Sequence, residues 1–388
     1  DSVWMVEKLN LKMKKGNLLV YDYFKITQEY DHYGDSLCVL KKQVLDYGVK
    51  YKKESSTCKT TAIFSDYDFN PNFKAKFFNR ELAVTEKEAY EKDSTFWTEK
   101  RQDALTAEEI AFIIRQDSIR DYMNRKEYLD SVDQVFNKVT ALKVLWWGVD
   151  HRNRDKRHQW TIGSLITTIR PVYIAGPRIS PNFDFFKKWD DQRSLDSYTQ
   201  ISFGFLNNDI KGDTWWKYKF DPFRQGKVRI ALNHDFDVIR GFDAITQIYK
   251  RENFIEATKL RSSIEYELFN GFYAKVAGEF CERRSIEGYD FIDAADEVLP
   301  NNEPSSFQTY QGMIADFTLW FVPRQRYMRE PYRKVVLGSA WPTFSINYER
   351  GIPNLFGSDI DHEYLQISVD QTFKIGTIGT STYRFQGG

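Results

Sequence analysis

Apolar and polar residues alternate between Tyr364 and Ile375 near the end of the chain. One side of this segment is mostly polar, and the other carries Leu365, Ile367, Val369, Phe373 and Ile375. A period of two residues is that of a β-strand, whose successive side chains point to opposite faces. The same period recurs along most of the chain after about Trp160. What surrounds the apolar faces therefore decides the fold class.

The alternation predicts a series of strands, several of them long, at 160–172, 198–206, 215–221, 227–236, 260–268, 272–283, 309–322, 343–350 and 363–375. Tight linkers such as Asn270-Gly271 alternate with longer polar ones such as 287–306, which is the pattern of outer-membrane barrels. Aromatic residues cluster near strand ends, as in Trp320-Phe321 and at Tyr348, and this is where barrels place them. A soluble β-sandwich also alternates, with its apolar faces buried, so the period alone leaves both folds open.

Two regions with other patterns precede these strands. Residues 1–84 have the composition of short antiparallel strands separated by turns, and we expect a soluble periplasmic β-sheet domain there. Residues 85–150 change to a helical period, with capping-box patterns beginning at Thr85 and Thr106. An apolar stripe for an amphipathic helix is formed by Tyr128, Leu129, Val132, Val135, Phe136 and Val139. This second region is predicted to be a helical linker or plug.

The predicted fold class is therefore mainly β. It consists of a small periplasmic antiparallel sheet, an amphipathic helical segment, and an antiparallel transmembrane β-barrel in residues 151–388 that is incomplete in this chain and truncated before closure. The longest apolar runs, such as 110–114 and 144–149, are far shorter than the roughly 20 residues of a transmembrane helix. A barrel strand needs no such run, because only every second residue contacts lipid.

Composition narrows the possible partners. Lys plus Arg equals Asp plus Glu, at 55 each, so the formal net charge is zero and the chain has no overall basic field for nucleic acid. The three cysteines, Cys38, Cys58 and Cys281, are too few for a disulfide framework or a paired-cysteine metal site. A Cys38–Cys58 disulfide and two isolated thiols both remain open.

Motifs for catalysis are missing from the sequence. The five histidines show no metal-ligand spacing, and no nucleophile elbow, phosphate-cradling glycine loop or zinc-protease helix is present. We therefore expect no catalytic residues, no metal, no cofactor and no enzymatic activity.

The polar sides of three predicted strands supply candidate residues for the lumen of a barrel. They are Lys227, Arg229, Asn233, Asp235, Arg261, Glu265, Glu267, Lys275 and Glu279. The carboxylates Glu265 and Glu267 are expected to face the cations Lys275, Arg229 and Arg261, which predicts a neutralised polar lumen rather than an acid/base pair.

One loop carries a possible motif. The segment Val238-Ile239-Arg240-Gly241-Phe242 is similar to the arginine-glycine-aromatic loop signature of outer-membrane assembly and secretion barrels. In those barrels the arginine pairs with an acidic strand residue inside the lumen, and Asp316 is the candidate here. An ordinary loop containing Arg240, Gly241 and Phe242 is the alternative.

Three longer segments carry a family resemblance: DSTFWTEKR at 93–101 with LTAEE at 105–109, WPTFSINY at 341–348 with GIPNLFGSD at 351–359, and the strand pair 365–373 and 379–385. Together they resemble a Bacteroidota outer-membrane barrel family of unassigned function, whose full-length members carry an N-terminal carboxypeptidase-regulatory-like β-sandwich. The chain departs from that pattern. It lacks the sandwich and the closing strands, and residues 102–104 replace prolines. We therefore expect an internal fragment of a longer protein.

The resemblance implies a place in the cell more than an activity. It implies the outer membrane, with residues before about 150 in the periplasm, and it supplies no catalytic residue. Transport or envelope assembly is the leading hypothesis, with outer-membrane lipid as a partner and any envelope protein partner unknown. The alternative is a soluble periplasmic or surface β-rich binding protein for a glycan or protein ligand, with Trp215, Trp216 and Trp320 as candidate contacts.

Overall fold

The computed structural model describes residues 5–13, 21–33, 37–51, 54–73, 77, 79–171, 174–239, 250–292, 296, 301–376 and 378–388. Within these residues the fold is mainly antiparallel β, as the alternation predicts. The chain forms two compact units. The first comprises Asp1–Phe78 and Asp93–Thr106, and the second comprises Asn79–Lys92 and Ala107–Gly388.

The first unit contains a four-stranded antiparallel sheet in chain order, built from β1 (Lys8–Met13), β2 (Tyr21–Tyr33), β3 (Leu37–Tyr51) and β4 (Glu54–Ile63). The short helix α1 (Ser94–Lys100) belongs to this unit. It begins where the Asp93 carboxylate accepts a hydrogen bond from the Phe96 N–H at 3.0 Å. This bond lowers the pKa of Asp93 below its ordinary value. The predicted N-terminal sheet is present, and its periplasmic location stays a prediction.

Two of the cysteines lie in this sheet as free thiols. The strand register places Cys38 opposite His32 and Cys58 opposite Tyr47, so the two cysteines are not cross-strand neighbours. The structure therefore contains the isolated-thiol alternative and not the disulfide.

One large antiparallel sheet dominates the second unit. Its strands follow one another in chain order, so that neighbours are joined by successive connections. Its main path is β6 (Val149–Asn153), β7 (His158–Ile162), β10 (Asn182–Lys188), β11 (Ser194–Gly204), β12 (Asp209–Asp221), β13 (Gly226–Val238), β14 (Phe254–Phe269), β15 (Phe272–Arg284), β16 (Tyr310–Phe321), β19 (Thr343–Gly351), β20 (His362–Ile375) and β21 (Gly379–Gly387). In the part of the chain that the structure describes, the edge strands β6 and β21 do not pair, so the sheet is open.

The region after β7 differs from the predicted single strand at 160–172. It contains a helical turn, α4 (Leu165–Thr168), and two short strands, β8 (Ile169–Arg170) and β9 (Arg178–Ile179). The Ser164 hydroxyl accepts the Thr167 N–H at 3.4 Å and caps α4, which ends the extended conformation. The strand β10 was missed, because consecutive phenylalanines interrupt its alternation.

The helical region is confirmed in part. Helix α2 (Ala107–Asn124) starts directly after Thr106, and α3 (Lys126–Asn137) carries the predicted stripe except for Val139, which follows the helix. The pattern at Thr85 precedes a 3₁₀ helix of only four residues, Lys87–Tyr90, and no α-helix. The strand β5 (Glu81–Val84) continues to the Thr85 N–H, which bonds the Arg329 carbonyl at 2.8 Å. No helix among the described residues is long and apolar enough to cross a bilayer.

A second small sheet is inserted between β16 and β19. The hairpin of β17 (Arg326–Glu330) and β18 (Arg333–Gly338) pairs along β17 with β5 in parallel. This pairing places β5 in the second unit, although the sequence predicted one domain for residues 1–84.

The connections of the large sheet differ between its two ends. One end has the tight connections 154–157, 189–193, 222–225, 270–271 and 376–378, together with the β17–β18 hairpin. We call it the short-turn end. The other end, the long-loop end, has the connections 163–181, 205–208, 239–253, 285–309 and 352–361. Tight and long connections thus alternate as predicted, except that 205–208 has only four residues and that the connection 322–342 at the short-turn end contains the β17–β18 hairpin.

Candidate functional site: the polar face of the large sheet

The register of the large sheet aligns apolar residues with apolar residues across strands. One row crosses six strands through directly opposed neighbours and consists of Val228, Ile264, Val276, Phe317, Tyr348 and Leu365. Because side chains alternate along each strand, all of these residues lie on one face, which we call the apolar face. The other side is the polar face.

The apolar face is not covered by the described part of the chain. Ile264, Val276 and Leu365 are 47%, 49% and 52% exposed, values that a packed core would not leave. Phe272 and Val369 are half-buried by their neighbours. A β-sandwich would bury such a row against a second sheet, and no second layer covers it among the described residues.

The fully buried side chains are predominantly polar instead. Buried apolar residues are few, namely Ala175, Ile255, Ala257, Tyr273, Cys281 and Ile286. Buried polar and charged residues include Ser164, Arg178, Ser180, Ser197, Ser202, Lys211, Arg251, Asn253, Glu256, Glu267, Asn302, Gln325, Lys334 and Ser358. This distribution is the reverse of that in an ordinary water-soluble domain.

The register brings the nine predicted lumen residues onto the polar face of β13, β14 and β15. Lys227 and Glu265 form an ion pair at 2.8 Å, and Glu265 lies opposite Lys275 on its other side. Arg261 pairs with Glu279. The predicted mutual neutralisation is therefore observed for these charges, whereas Arg240, Gly241 and Phe242 lie outside the described residues.

Two further predicted residues lie on the same face, nearer to the long-loop end of β13. The Asn233 amide donates to the Asp213 carboxylate at 3.5 Å. The Asp235 carboxylate accepts the Phe236 backbone N–H at 2.8 Å. Asp316, the proposed partner of the loop motif, accepts hydrogen bonds from Thr318 and Asn347 and lies 4.0 Å from the Lys275 ammonium.

Glu267 is the centre of a buried cluster at the short-turn end. It is 2% exposed and pairs with Lys334 of the β17–β18 hairpin. Its other oxygen accepts the Gly271 N–H at 2.9 Å and the Gln325 amide at 3.0 Å. The Asn270 amide donates to the Gln325 carbonyl at 2.8 Å. These bonds satisfy the buried carboxylate and hold the hairpin beneath the turn.

Gly271 makes this turn possible. It has a φ of 82°, and a Cβ there would lie 2.5 Å from the Val322 carbonyl oxygen. Any other residue would be strained at this position. The sequence signalled the turn through Asn270-Gly271, but it gave no sign that Lys334 would reach Glu267.

A second buried cluster lies at the long-loop end. Lys211 is 1% exposed, pairs with Glu256 and donates to the Tyr289 hydroxyl at 2.7 Å. Tyr289 in turn donates to Glu256 at 2.6 Å. Burial and the neighbouring carboxylate raise the pKa of Tyr289 above its ordinary range, so this phenol stays a neutral donor.

The same end contains a buried arginine. Arg178 bonds the Asp209 carboxylate at 3.0 Å and the Ser202 hydroxyl at 2.8 Å. The other Asp209 oxygen is buried without a hydrogen bond and lies 3.8 Å from the Lys211 ammonium. The sequence did not predict the Lys211–Glu256–Tyr289 cluster or the buried Arg178. Tyr289, for example, is 78 residues from Lys211 and comes from a long polar loop.

Helix α3 lies against the polar face at the sheet edge. Asp133 accepts hydrogen bonds from Arg152 of β6 at 2.9 and 2.7 Å and from Arg154 at 2.9 Å. The Asn137 side chain accepts the Arg152 backbone N–H at 2.7 Å and donates to its carbonyl at 2.9 Å. The Asn137 amide thus occupies the position where a further strand would bond β6.

Arg152 belongs to the polar face by register. It starts a row of opposed residues that continues through Gln159, Phe186, Asp196, Lys217 and Arg229. The contact with Asp133 therefore places α3 on the same side of the sheet as the predicted lumen residues.

The three candidate tryptophans do not form one binding platform. Trp215 and Trp216 are consecutive in β12 and lie on opposite faces, with Trp216 48% exposed on the apolar face. Trp320 stacks on Tyr273 with ring centroids 5.0 Å apart. Within the described chain, no group of three or more His, Cys, Asp or Glu side chains is arranged to hold a metal.

Comparison with known proteins gives one family. The model of the C-terminal domain of a family of unknown function, DUF5686, matches residues 142–388. No curated protein and no solved structure gives a match. The matched range starts just before β6 and includes the whole polar face.

Proposed function

We propose that this chain, which belongs to the DUF5686 C-terminal domain family, forms part of the wall of a β-barrel in the outer membrane. The apolar face contacts lipid, and the polar face borders a water-filled lumen. The protein acts in transport or envelope assembly rather than in catalysis. The assignment to a Bacteroidota envelope and to relatives with a carboxypeptidase-regulatory-like domain comes from the sequence resemblance alone.

The observation that carries this proposal is the exposure of the aligned apolar rows. In water, such a face would cost roughly 25 cal/mol for each Å² left uncovered, whereas hydrocarbon tails remove that cost. The outward side chains Leu260, Ile264 and Leu268 span about 27 Å of β14, on the scale of the roughly 25 Å apolar band of barrels. A lipid environment thus explains what a soluble fold does not.

Aromatic residues near the short-turn end add support. Phe272 and Phe321 lie on opposed strands with ring centroids 6.2 Å apart, and Phe220 and Tyr266 stack at 6.1 Å. Rings at this height suit the aromatic girdle at a membrane interface. Barrels have short turns on the periplasmic side, which assigns the short-turn end to the periplasm.

The proposal also gives a role to the helical region. We place the chain before α3, rather than all residues before about 150, in the periplasm, because β6 begins at the long-loop end, where Val149 opposes Ile162. A chain that enters from the periplasm must therefore reach the far end before β6. Because α3 contacts the polar face, which borders the lumen, the chain reaches the far end through the lumen. In this position α3 acts as a partial plug.

The test is the behaviour of the full-length protein in cells and in detergent. We expect it to fractionate with outer membranes and, after extraction, to migrate faster on electrophoresis when unheated than when boiled. A protein found in the soluble periplasmic fraction, with the same migration before and after boiling, would contradict the proposal.

A further inference from the structure

Like charges face each other twice on the polar face between β12 and β13. Lys217 lies directly opposite Arg229, and Lys219 lies directly opposite Lys227. The two pairs are two residues apart along each strand, so they are adjacent on one face. We call these four residues the basic ladder. Directly opposed like charges destabilise a sheet, so their presence needs a reason.

Carboxylates compensate only half of the basic ladder. Asp196 pairs with Lys217 at 2.7 Å, and Glu265 pairs with Lys227 at 2.8 Å. In the described chain, no carboxylate lies within ion-pair distance of Lys219 or Arg229. Lys219 donates to the Gln225 amide oxygen at 3.2 Å, and the Arg229 guanidinium lies over the Trp215 ring at 5.1 Å.

Several other charges on the same face are balanced. Lys275 lies opposite Glu265 and 4.0 Å from Asp316. Asp316 and Glu349 also oppose each other as like charges, but Asp316 has Asn347 as a donor and Glu349 has His362 at 2.8 Å. Among the residues that the structure describes, Lys219 and Arg229 thus lack a carboxylate partner on two adjacent strands, and Lys188 of β10, which shares the row of Lys219, adds a further cation.

We propose that the basic ladder binds a soluble phosphate-bearing anion on the polar face. This inference rests on the proposed function, in which that face borders a water-filled lumen. The exposed Arg229 offers a planar fork of donors that suits phosphate, and its contact with Trp215 holds the fork in place. Lys219 adds a point charge in the next row. Rings of Lys and Arg select anions in pores by the same electrostatics.

The experiment measures binding of inorganic triphosphate to the full-length protein in detergent by calorimetry at low ionic strength. We expect wild type to bind. Arg229→Gln and Lys219→Gln should each weaken binding by about tenfold, the loss of one charge-assisted contact. The matched control is Lys275→Gln, which removes a balanced lysine from the same face and should leave the affinity unchanged.

Each outcome decides the inference. A wild-type protein that migrates as a folded barrel but does not bind triphosphate overturns the inference alone, as does an equal loss in Lys275→Gln. If Arg229→Gln weakens retention of phosphatidylglycerol and not of triphosphate, the ligand is a lipid headgroup and the proposal is wrong. A protein without heat-modifiable migration contradicts the proposed function and the inference together.

Discussion

The apolar face and the polar face are built from the same strands, yet the chain covers them in opposite ways. On the polar face, Glu267 is 2% exposed beneath the β17–β18 hairpin, and Asp133 of α3 binds Arg152. On the apolar face, Val276 is 49% exposed and no described element packs against it. The connections of the described chain thus satisfy charges on the polar face and leave the apolar rows uncovered.

This difference separates two kinds of β-sheet that have the same sequence period. A soluble sheet turns its apolar side toward its own core, so connections pack on that side. Here the added elements are on the polar side. What covers each face, rather than the alternation, distinguishes a lipid-facing wall from half of a sandwich.

The largest loss of stability is expected at the most deeply buried ion pair of the polar face, Glu267–Lys334. Lys334→Ala leaves the Glu267 carboxylate buried without its cation, and we expect a loss of about 3–5 kcal/mol in the free energy of unfolding. Urea unfolding in detergent, followed by tryptophan fluorescence, measures it. The control is Lys227→Ala, which breaks a more exposed pair and should cost no more than about 1 kcal/mol. Equal losses of unfolding free energy in the two variants would show that the Glu267–Lys334 pair is no better shielded from water than the Lys227–Glu265 pair.

A charge placed on each face compares the faces directly. Val276 and Ala277 are consecutive in β15 and point to opposite sides. We expect Val276→Arg to destabilise the reconstituted protein by about 2–4 kcal/mol, because the arginine would enter lipid. Ala277→Arg adds the same side chain on the water-filled side and should cost clearly less. A larger cost for Ala277→Arg than for Val276→Arg would contradict the assignment of lipid to the apolar face.

The contact of α3 with the sheet edge should have a smaller effect. Asn137→Leu removes both bonds to the Arg152 backbone and leaves a donor and an acceptor unpaired, at a cost of about 1–3 kcal/mol. Hydrogen exchange at the Arg152 amide should become faster by the corresponding factor. The matched control is Asn124→Leu, which makes the same change at the exposed end of α2. Unchanged exchange in Asn137→Leu would show that α3 does not protect this edge.

The smallest effect concerns pH at the short-turn end. The Arg333 guanidinium lowers the pKa of Glu330 below its ordinary value near 4.5. The pair therefore stabilises the hairpin above that value, and its contribution is lost as the pH falls through the folded-state pKa. Because Glu330 is well solvated, we expect only a few tenths of a kcal/mol. Glu330→Gln should remove this part of the acid dependence of unfolding, and an unchanged dependence would exclude the pair as its source.

Local alternation predicted the parts of the fold that depend on neighbouring residues. It located the strands β13, β14, β15 and β20 in the sequence, and it assigned the nine lumen candidates to one face. Both follow from the strand period, which depends on residues that are close in sequence. It missed β10, where Phe183 to Phe186 interrupt the period. It also joined β7 to α4, because the Ser164 cap is a single residue within an apolar run.

The clusters at the two ends could not be predicted in the same way. Lys334 is 67 residues from Glu267, and Lys211 is 45 residues from Glu256. Each looks like an ordinary charged residue in its own segment, and only the tertiary fold buries it. The basic ladder was partly visible as Lys227 and Arg229, but only the register between β12 and β13 shows that like charges oppose each other there and that Lys219 and Arg229 lack a carboxylate among the described residues.

The most direct test of the account measures what surrounds each face in a bilayer. Single cysteines at Val276, Phe317 and Ala277, in a protein whose native cysteines are replaced, carry a nitroxide spin label after reconstitution. We predict that labels at 276 and 317 collide with dissolved oxygen more than with a water-soluble nickel chelate, and that the label at 277 does the opposite. High nickel accessibility at 276 and 317, or burial of both from either reagent, would contradict the assignment of the apolar face to lipid.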